Sequence, residues 1–238
     1  ASHEFSIATE TTAGSNPLNS ILQYYAIQEA RKNADFVLVI VHGGHEHYQL
    51  PSPRMQETYR FFIDAGADAV VNHHQHCYSG YEIYKEKPIF YGLGNFCFDW
   101  DEKRNEPWNE GYMVNIFFDK IETVTFKLYP YIQCNDYPIV REMKENERII
   151  FDNRIKEMYT IISDIKRLKT GWETWVFRNK ESILIDYQPY ESKIAKGLFA
   201  RGFLPSFITK RKKYSIINHL ECESHIDTLR YMIRNLKD

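Results

Sequence analysis

The sequence predicts an α/β domain over residues 1–130, followed by a mostly helical appendage over residues 131–238. Up to about residue 130, segments with apolar residues at helical spacing alternate with short, β-branched apolar segments, an order that favours a largely parallel sheet. Two longer segments of strand character then follow each other directly, which indicates an antiparallel pair. Beyond residue 130, apolar residues recur mainly at helical spacing.

The helices and the first strand of the α/β part have clear local signals. A helix is predicted over residues 17–33, because Asn16 can cap it and a proline occupies its first position. Residues 36–41 are apolar on both faces, which is typical of a buried parallel strand. A second helix is predicted over residues 53–65, where Gly66 provides a C-terminal cap.

The remaining elements are shorter or lie later in the chain. Short strands are predicted at residues 69–71 and 88–91, and a strand pair at residues 112–118 and 123–129. In the appendage, an apolar stripe from Phe151 to Ile165 predicts a helix that ends at Gly171, and a similar stripe begins at Ile226.

Composition excludes several classes of protein. Lys and Arg number 30 against 32 Asp and Glu, and this balance argues against a dedicated nucleic-acid binder. The longest apolar run, residues 36–41, is far shorter than the ~20 residues that span a bilayer. The four cysteines show no Cys-x-x-Cys spacing, and we expect reduced thiols. We therefore expect a soluble chain, and reduced thiols favour the cytoplasm.

Six of the nine histidines fall in two clusters, each placed directly after a predicted strand. The first cluster contains His42, His45 and His47, and the second contains His73, His74 and His76. Ligand sites in open α/β sheets lie beyond the carboxyl ends of neighbouring strands, so the two clusters are expected to meet. Neutral imidazole is a common ligand of Zn, Fe and Mn, and the pattern therefore predicts a divalent metal site.

Within the clusters, three histidines are the predicted ligands. His42 directly follows its strand, and His74 and His76 have a His-x-His spacing that can serve two adjacent ions. The other histidines are expected to be neighbours, and Glu46 either orients an imidazole or is simply solvated. The alternative is that all of these residues are ordinary polar loop residues.

The region from residue 35 to residue 99 resembles the bacterial capsule-synthesis CapA family of the poly-γ-glutamate synthesis type, which belongs to the calcineurin-like metallophosphoesterase superfamily. The motifs that carry the resemblance occur in the family's order: HGGHE at 42–46, DAGAD at 64–68, HQH at 74–76 and LGNF at 93–96. The resemblance implies the C-terminal portion of a metallophosphoesterase-like αββα sandwich. Asn72 and Gln75 depart from the glycine and proline usual in the family.

The resemblance also implies roles for the site residues. His42, His74 and His76 would be metal ligands, and Glu46 and Asn95 would line the site, where they would orient a ligand or contact the substrate. We place His45 and His73 in that second group as well, while the catalytic residues stay unidentified.

The superfamily's N-terminal motifs, a Gly-Asp strand end and an Asn-His pair, do not occur before residue 35. The chain is therefore expected to be the C-terminal part of a longer protein, with the N-terminal part of the same protein as a partner. Two divalent ions ~4 Å apart repel by roughly 17 kcal/mol at an effective dielectric constant of about 20, and neutral imidazoles cancel none of this charge. We thus expect two metal ions in the complete protein but at most one in this chain.

The implied function is a metal-dependent hydrolase of phosphoester or amide bonds in capsule or cell-surface polymer biosynthesis. Its partners would be an anionic polymer or phosphoester substrate and an envelope biosynthesis complex, with no nucleic acid. The alternative is a non-catalytic polymer-handling or assembly component that retains the fold. A basic stretch with Arg201 and residues 210–213 either holds a polyanion or is a solvated loop. The aromatic residues Trp172, Trp175 and Phe177 either cradle a sugar or pack the appendage.

Overall fold

The computed structural model describes residues 7–9, 11–119 and 124–235. The chain divides into two compact units, Ala1–Trp175 and Val176–Asp238. The first unit contains two β-sheets and four helices, the last of which crosses the boundary, and the second unit is helical. The α/β class with a helical C-terminal part is therefore confirmed.

The first sheet has four strands in the order β1-β2-β4-β3. They are β1 (Leu38–His42), β2 (Ala69–His73), β3 (Tyr81–Tyr84) and β4 (Lys87–Phe90). The first three strands in spatial order are parallel, and β3 pairs antiparallel with β4. A parallel pairing brings the carboxyl ends of β1 and β2 to the same edge of the sheet.

The second sheet has three antiparallel strands in the order β5-β6-β7. They are β5 (Glu110–Phe118), β6 (Val124–Gln133) and β7 (Val140–Glu142). The predicted strand pair thus exists, although position 123 lies outside the described residues. The sheets meet in the core, where the Phe90 ring lies perpendicular to the Phe126 ring at 4.9 Å between centroids.

Helices of the first unit contribute buried apolar residues to the same core. They are α1 (Ser20–Asn33), α2 (Pro53–Asp64), α3 (Glu145–Ser163) and α4 (Ile165–Arg178). Gly80 lies beside β3, and a Cβ there would lie 2.8 Å from atoms of both Met158 and Ile162. The missing side chain therefore lets α3 approach the first sheet closely.

The structure corrects three details of the predicted elements. The first helix begins at Ser20, because the side chain of Asn19, not Asn16, accepts the N-terminal amides. The predicted helix ending at Gly171 is two helices, since Asp164 interrupts α3 and its carboxylate accepts the first amides of α4. Strand β1 is buried on one face only, with Leu38 42% and Ile40 58% exposed.

The second unit contains the end of α4 and four further helices. They are α5 (Lys180–Leu184), α6 (Lys193–Ala200), α7 (Lys210–Glu221) and α8 (Glu223–Asn235). Its interior is small and centres on Phe199, whose ring packs against Tyr190 at 5.5 Å. No helix in the described part of the chain has the length and apolar character needed to cross a bilayer.

A buried carboxylate connects α2 to the first sheet. Glu82 on β3 is 3% exposed, and its Oε2 accepts a hydrogen bond from Nη2 of Arg60 at 2.5 Å. The Tyr91 hydroxyl also donates to this carboxylate, and burial next to Glu82 raises the pKa of Tyr91. Gln56 donates both to Glu82 at 3.4 Å and to the Ile162 carbonyl at 2.8 Å, which adds α3 to the network.

We predict that Arg60→Ala lowers the free energy of unfolding by roughly 2 kcal/mol or more, because Glu82 would keep a buried charge without its cation. Arg148→Ala is the matched control. Arg148 pairs with Asp152 at 3.5 Å, both side chains are about half exposed, and such a pair contributes ~0.5 kcal/mol. Urea unfolding measures both values, and equal losses would contradict the importance of the buried network.

Candidate metal centre

The two histidine clusters begin at directly paired positions of the first sheet. In the parallel register of β1 and β2, His42 is the partner of His73. The pairing continues one residue further, since the Gly43 amide donates to the His73 carbonyl at 3.0 Å. His47 is tied to the second cluster in the same way, because its amide donates to the Gln75 carbonyl at 2.8 Å. Both loops therefore leave the sheet side by side.

His42 and His74 form the closest imidazole pair of this edge. Nε2 of His42 lies 3.2 Å from Nδ1 of His74, and the ring centroids are 4.9 Å apart. One ring donates a hydrogen bond to the other if the shared position holds a proton. Two nitrogen ligands of a tetrahedral zinc ion lie ~3.3 Å apart when each Zn–N bond is about 2.05 Å. The observed distance of 3.2 Å between the two nitrogens is therefore compatible with a shared zinc ion as well as with a hydrogen bond.

His76 lies beside this pair, and its hydrogen-bond partners favour one tautomer. Its ring centroid is 6.1 Å from that of His74. Its Nδ1 donates to Oδ1 of Asn95 at 2.9 Å, while the Asn95 amide nitrogen donates to the carbonyls of His76 and Trp108. Because Nδ1 carries the proton, Nε2 keeps the lone pair that a metal ion requires. Trp108 stacks on the ring at 4.8 Å and limits its access to solvent.

The other predicted residues of the site surround these three imidazoles. The His45 ring packs on Trp172 at 4.7 Å, so this histidine contacts an aromatic wall of α4. His73 is partly buried, and burial together with His42 lowers its pKa. Burial is also the main cause that lowers the pKa of His47, with Lys103 adding to it. Low pKa values favour the neutral imidazole that binds metal ions.

Glu46 is exposed beside His47, and its negative charge acts on that histidine in the direction that raises the pKa. This placement is closer to the solvated alternative than to an orienting role. Asn95, in contrast, makes a direct hydrogen bond to His76.

The described residues contain no group of three or more His, Cys, Asp or Glu side chains arranged to hold a metal ion. In the structure, ring nitrogens of His42 and His74 lie at the distance expected for two ligands of one zinc ion. His76 lies nearby and is hydrogen-bonded to Asn95. The three-histidine zinc site stays a prediction.

The backbone of the second cluster is strained at its histidines. His74 has φ 110° and His76 has φ 57°, a region that non-glycine residues seldom adopt. Such conformations cost of order 1–3 kcal/mol each and persist where the surroundings hold them in place. Gly44, in the first cluster, has φ 114°, and a Cβ there would lie 3.2 Å from Cγ of Gln75.

Sequence reasoning missed two buried residues that hold this strained turn. The Asn72 amide nitrogen donates to the carbonyls of Gly43 at 2.7 Å and Tyr91 at 2.8 Å, and its Oδ1 accepts from the Tyr59 hydroxyl at 2.8 Å. Gln75 is 1% exposed and donates to the Tyr48 carbonyl at 3.3 Å. The signal that could have found them is a polar side chain in, or just after, the end of a buried strand.

The fold is that of an α/β protein with a candidate site at the carboxyl edge of its parallel strands. Comparisons with known proteins show what the chain is similar to. Residues 3–100 match the family model described as bacterial capsule synthesis protein PGA_cap. The chain is 41% identical over 97 residues to the capsule biosynthesis protein CapA of Bacillus anthracis, covering 39% of this chain and 24% of that protein. It is 40% identical over 125 residues to the PGA biosynthesis protein CapA of Bacillus subtilis, covering 52% of this chain and 32% of that protein.

These similarities confirm the resemblance to the capsule-synthesis CapA family over the first part of the chain. The family match covers both histidine clusters and lies within the first compact unit. The chain spans between about a quarter and a third of the length of these two relatives.

We predict that Asn72→Ala lowers the free energy of unfolding by about 3 kcal/mol, because the Gly43 and Tyr91 carbonyls and the Tyr59 hydroxyl would lose buried partners. Asn153→Ala on the exposed face of α3 is the matched control, with an expected change within about 0.5 kcal/mol. Chemical denaturation checks both variants. An Asn72 variant as stable as its control would show that this side chain does not hold the turn.

Proposed function

We propose that this chain provides the histidine part of a divalent metal site in a hydrolase of capsule or cell-surface polymer synthesis. Similarity to two CapA proteins, named for capsule and PGA biosynthesis, supports the role in polymer synthesis. The metal is Zn, Mn or Fe, and the bond cleaved is a phosphoester or an amide. The substrate class is an anionic polymer or a phosphoester.

The observation that carries the proposal is the 3.2 Å separation between Nε2 of His42 and Nδ1 of His74. His42 is the last residue of β1 and His74 directly follows β2, and the β1–β2 register brings the two residues together. The ring of a third histidine, His76, lies 6.1 Å from that of His74. Three histidine side chains are a ligand set found in catalytic zinc sites.

The protein groups would act in distinct ways. His42 and His74 hold the ion, and Asn95 holds His76 in the tautomer with a ligand lone pair on Nε2. Trp108 stacks on His76 and excludes water from one side of its ring. A bound divalent ion would supply Lewis acidity and lower the pKa of a coordinated water.

A second metal ion requires groups that this set of imidazoles does not provide. Neutral histidines leave the repulsion between two divalent ions uncancelled, and a bridging anion is needed. We propose that a carboxylate from the N-terminal part of the same protein is this bridging anion. The complete protein would act within an envelope biosynthesis complex. On its own the chain then binds at most one ion.

A non-catalytic polymer-handling component is the second candidate. Its support is an aromatic surface beside the histidines. Trp172 and Trp175 stack at 5.4 Å next to His45 and Tyr48, and they form an aromatic surface suited to polymer contact. Metal-dependent cleavage of a phosphodiester or amide substrate by the longer protein would favour the hydrolase, and polymer binding without cleavage would favour this candidate.

We predict that the chain binds zinc with a stoichiometry of at most one, and that His42→Ala and His74→Ala each weaken binding at least about tenfold. Each substitution removes one member of the closest imidazole pair. His219→Ala is the matched control, because His219 lies in α7 of the second unit. Isothermal titration calorimetry gives the affinities, and elemental analysis gives the zinc content.

Two tightly bound ions per chain would contradict the proposed half-site. If His42→Ala and His74→Ala bind zinc with unchanged affinity, or if only His219→Ala binds it more weakly, His42 and His74 are not the ligands. Circular dichroism of each variant separates loss of binding from loss of folding.

A further inference from the structure

Two thiols that are far apart in the sequence lie close together in the first unit. Sγ of Cys97 lies 3.7 Å from Sγ of Cys134, although the residues are 37 positions apart. Cys97 belongs to the segment that follows β4, and Cys134 directly follows β6. A disulfide needs a sulfur separation of about 2.05 Å, so only a small movement divides the two thiols from bonding distance.

The two thiols differ in access to solvent, which sets the order in which they would react. Cys97 is exposed, whereas Cys134 is buried. The other two cysteines differ in reactivity. Cys77 is buried, and burial raises its pKa to about 12. The hydrogen bond between Sγ of Cys222 and Oγ of Ser224 lowers the pKa of Cys222, so this thiol can form a mixed disulfide of its own with an external reagent. Burial and the neighbouring Cys97 raise the pKa of Cys134, and Cys134 is therefore the thiol that reacts second.

Existing hydrogen bonds already hold the backbone around the two thiols together. The Phe98 amide donates to Oε1 of Gln133 at 2.8 Å. The Cys134 carbonyl accepts from Nη1 of Arg104 at 2.9 Å and from Nδ2 of Asn109 at 3.1 Å. These hydrogen bonds hold the two chain segments next to each other. The distance between the two sulfur atoms can therefore close mainly through movement of the exposed Cys97 side chain.

We propose that Cys97 and Cys134 form a reversible disulfide by exchange with a small-molecule disulfide such as oxidised glutathione. The Cys97 thiolate attacks one sulfur of the reagent and releases one glutathione thiol. The Cys134 thiolate then attacks Sγ of Cys97 in the mixed disulfide and releases the second. The two cysteines lose two electrons and two protons, and the reagent is reduced to two thiols.

The disulfide would fix the segment that holds His76. Asn95 lies two residues before Cys97, and Phe98, directly after it, stacks on the His76 ring at 5.6 Å. Oxidation would therefore restrain two of the side chains that position this imidazole. The consequence for metal binding rests on the proposed function, whereas formation of the disulfide does not.

The test is incubation of the purified chain with excess oxidised glutathione, followed by a thiol count and peptide mass mapping. We expect one peptide pair linked through Cys97 and Cys134, and in the Cys222→Ser variant the number of free thiols should fall from three to one. Oxidation should raise Tm by roughly 5 °C, protect amides 94–106 from hydrogen exchange, and reverse with dithiothreitol.

Variants make the result specific. Cys97→Ser should abolish the cross-link, and Cys134→Ser should retain one glutathione on Cys97. Cys222→Ser is the matched control and should cross-link normally. A stable glutathione adduct on Cys97 of the unaltered chain, a cross-link to Cys222, or no cross-link would overturn the proposal. Zinc titration of the reduced chain is a separate measurement, so either proposal can fail without the other.

Discussion

The parallel register between β1 and β2 determines where the histidines lie. His42 and His73 are directly paired, and each begins a loop at the same edge of the sheet. A shift of one residue would move every side chain of a strand to the opposite face, and the two clusters would separate. The spacing of His42 and His74 therefore depends on how the apolar residues of the two strands pack in the core.

Buried polar side chains convert this register into a fixed loop geometry. Asn72 joins the ends of β1 and β4 to α2, and Gln75 joins the two histidine loops. Neither a glycine nor a proline at these two positions would have a side chain that could make these hydrogen bonds. The left-handed backbone at His74 and His76 is stable because these neighbours hold it, and part of the backbone strain therefore lies where ligands are expected.

Local signals explain how much of the fold could be predicted. The boundaries of α2 follow from the Ser52 cap and from Gly66, whose φ of 113° requires a glycine. The start of α1 was misplaced because two asparagines compete for the cap, and Asn16 instead accepts from Gln23. The β3–β4 hairpin was missed because Lys85 and Glu86 adopt positive φ angles without the usual glycine or asparagine signal.

The candidate site could be located from the sequence, but its arrangement could not. Strand ends and clustered histidines indicated the edge of the sheet where the rings meet. The stacking of His76 on Trp108 and its bond to Asn95 depend on backbone angles that no spacing rule predicts. The proximity of Cys97 and Cys134 likewise arises from the packing of the second sheet against the segment after β4.

Anomalous diffraction from a zinc-loaded crystal of the chain tests the account most directly. The account predicts one anomalous peak at the carboxyl edge of the first sheet, about 2.1 Å from both Nε2 of His42 and Nδ1 of His74. A peak only at other residues, or an intact hydrogen bond between the two imidazoles at saturating zinc, would contradict it.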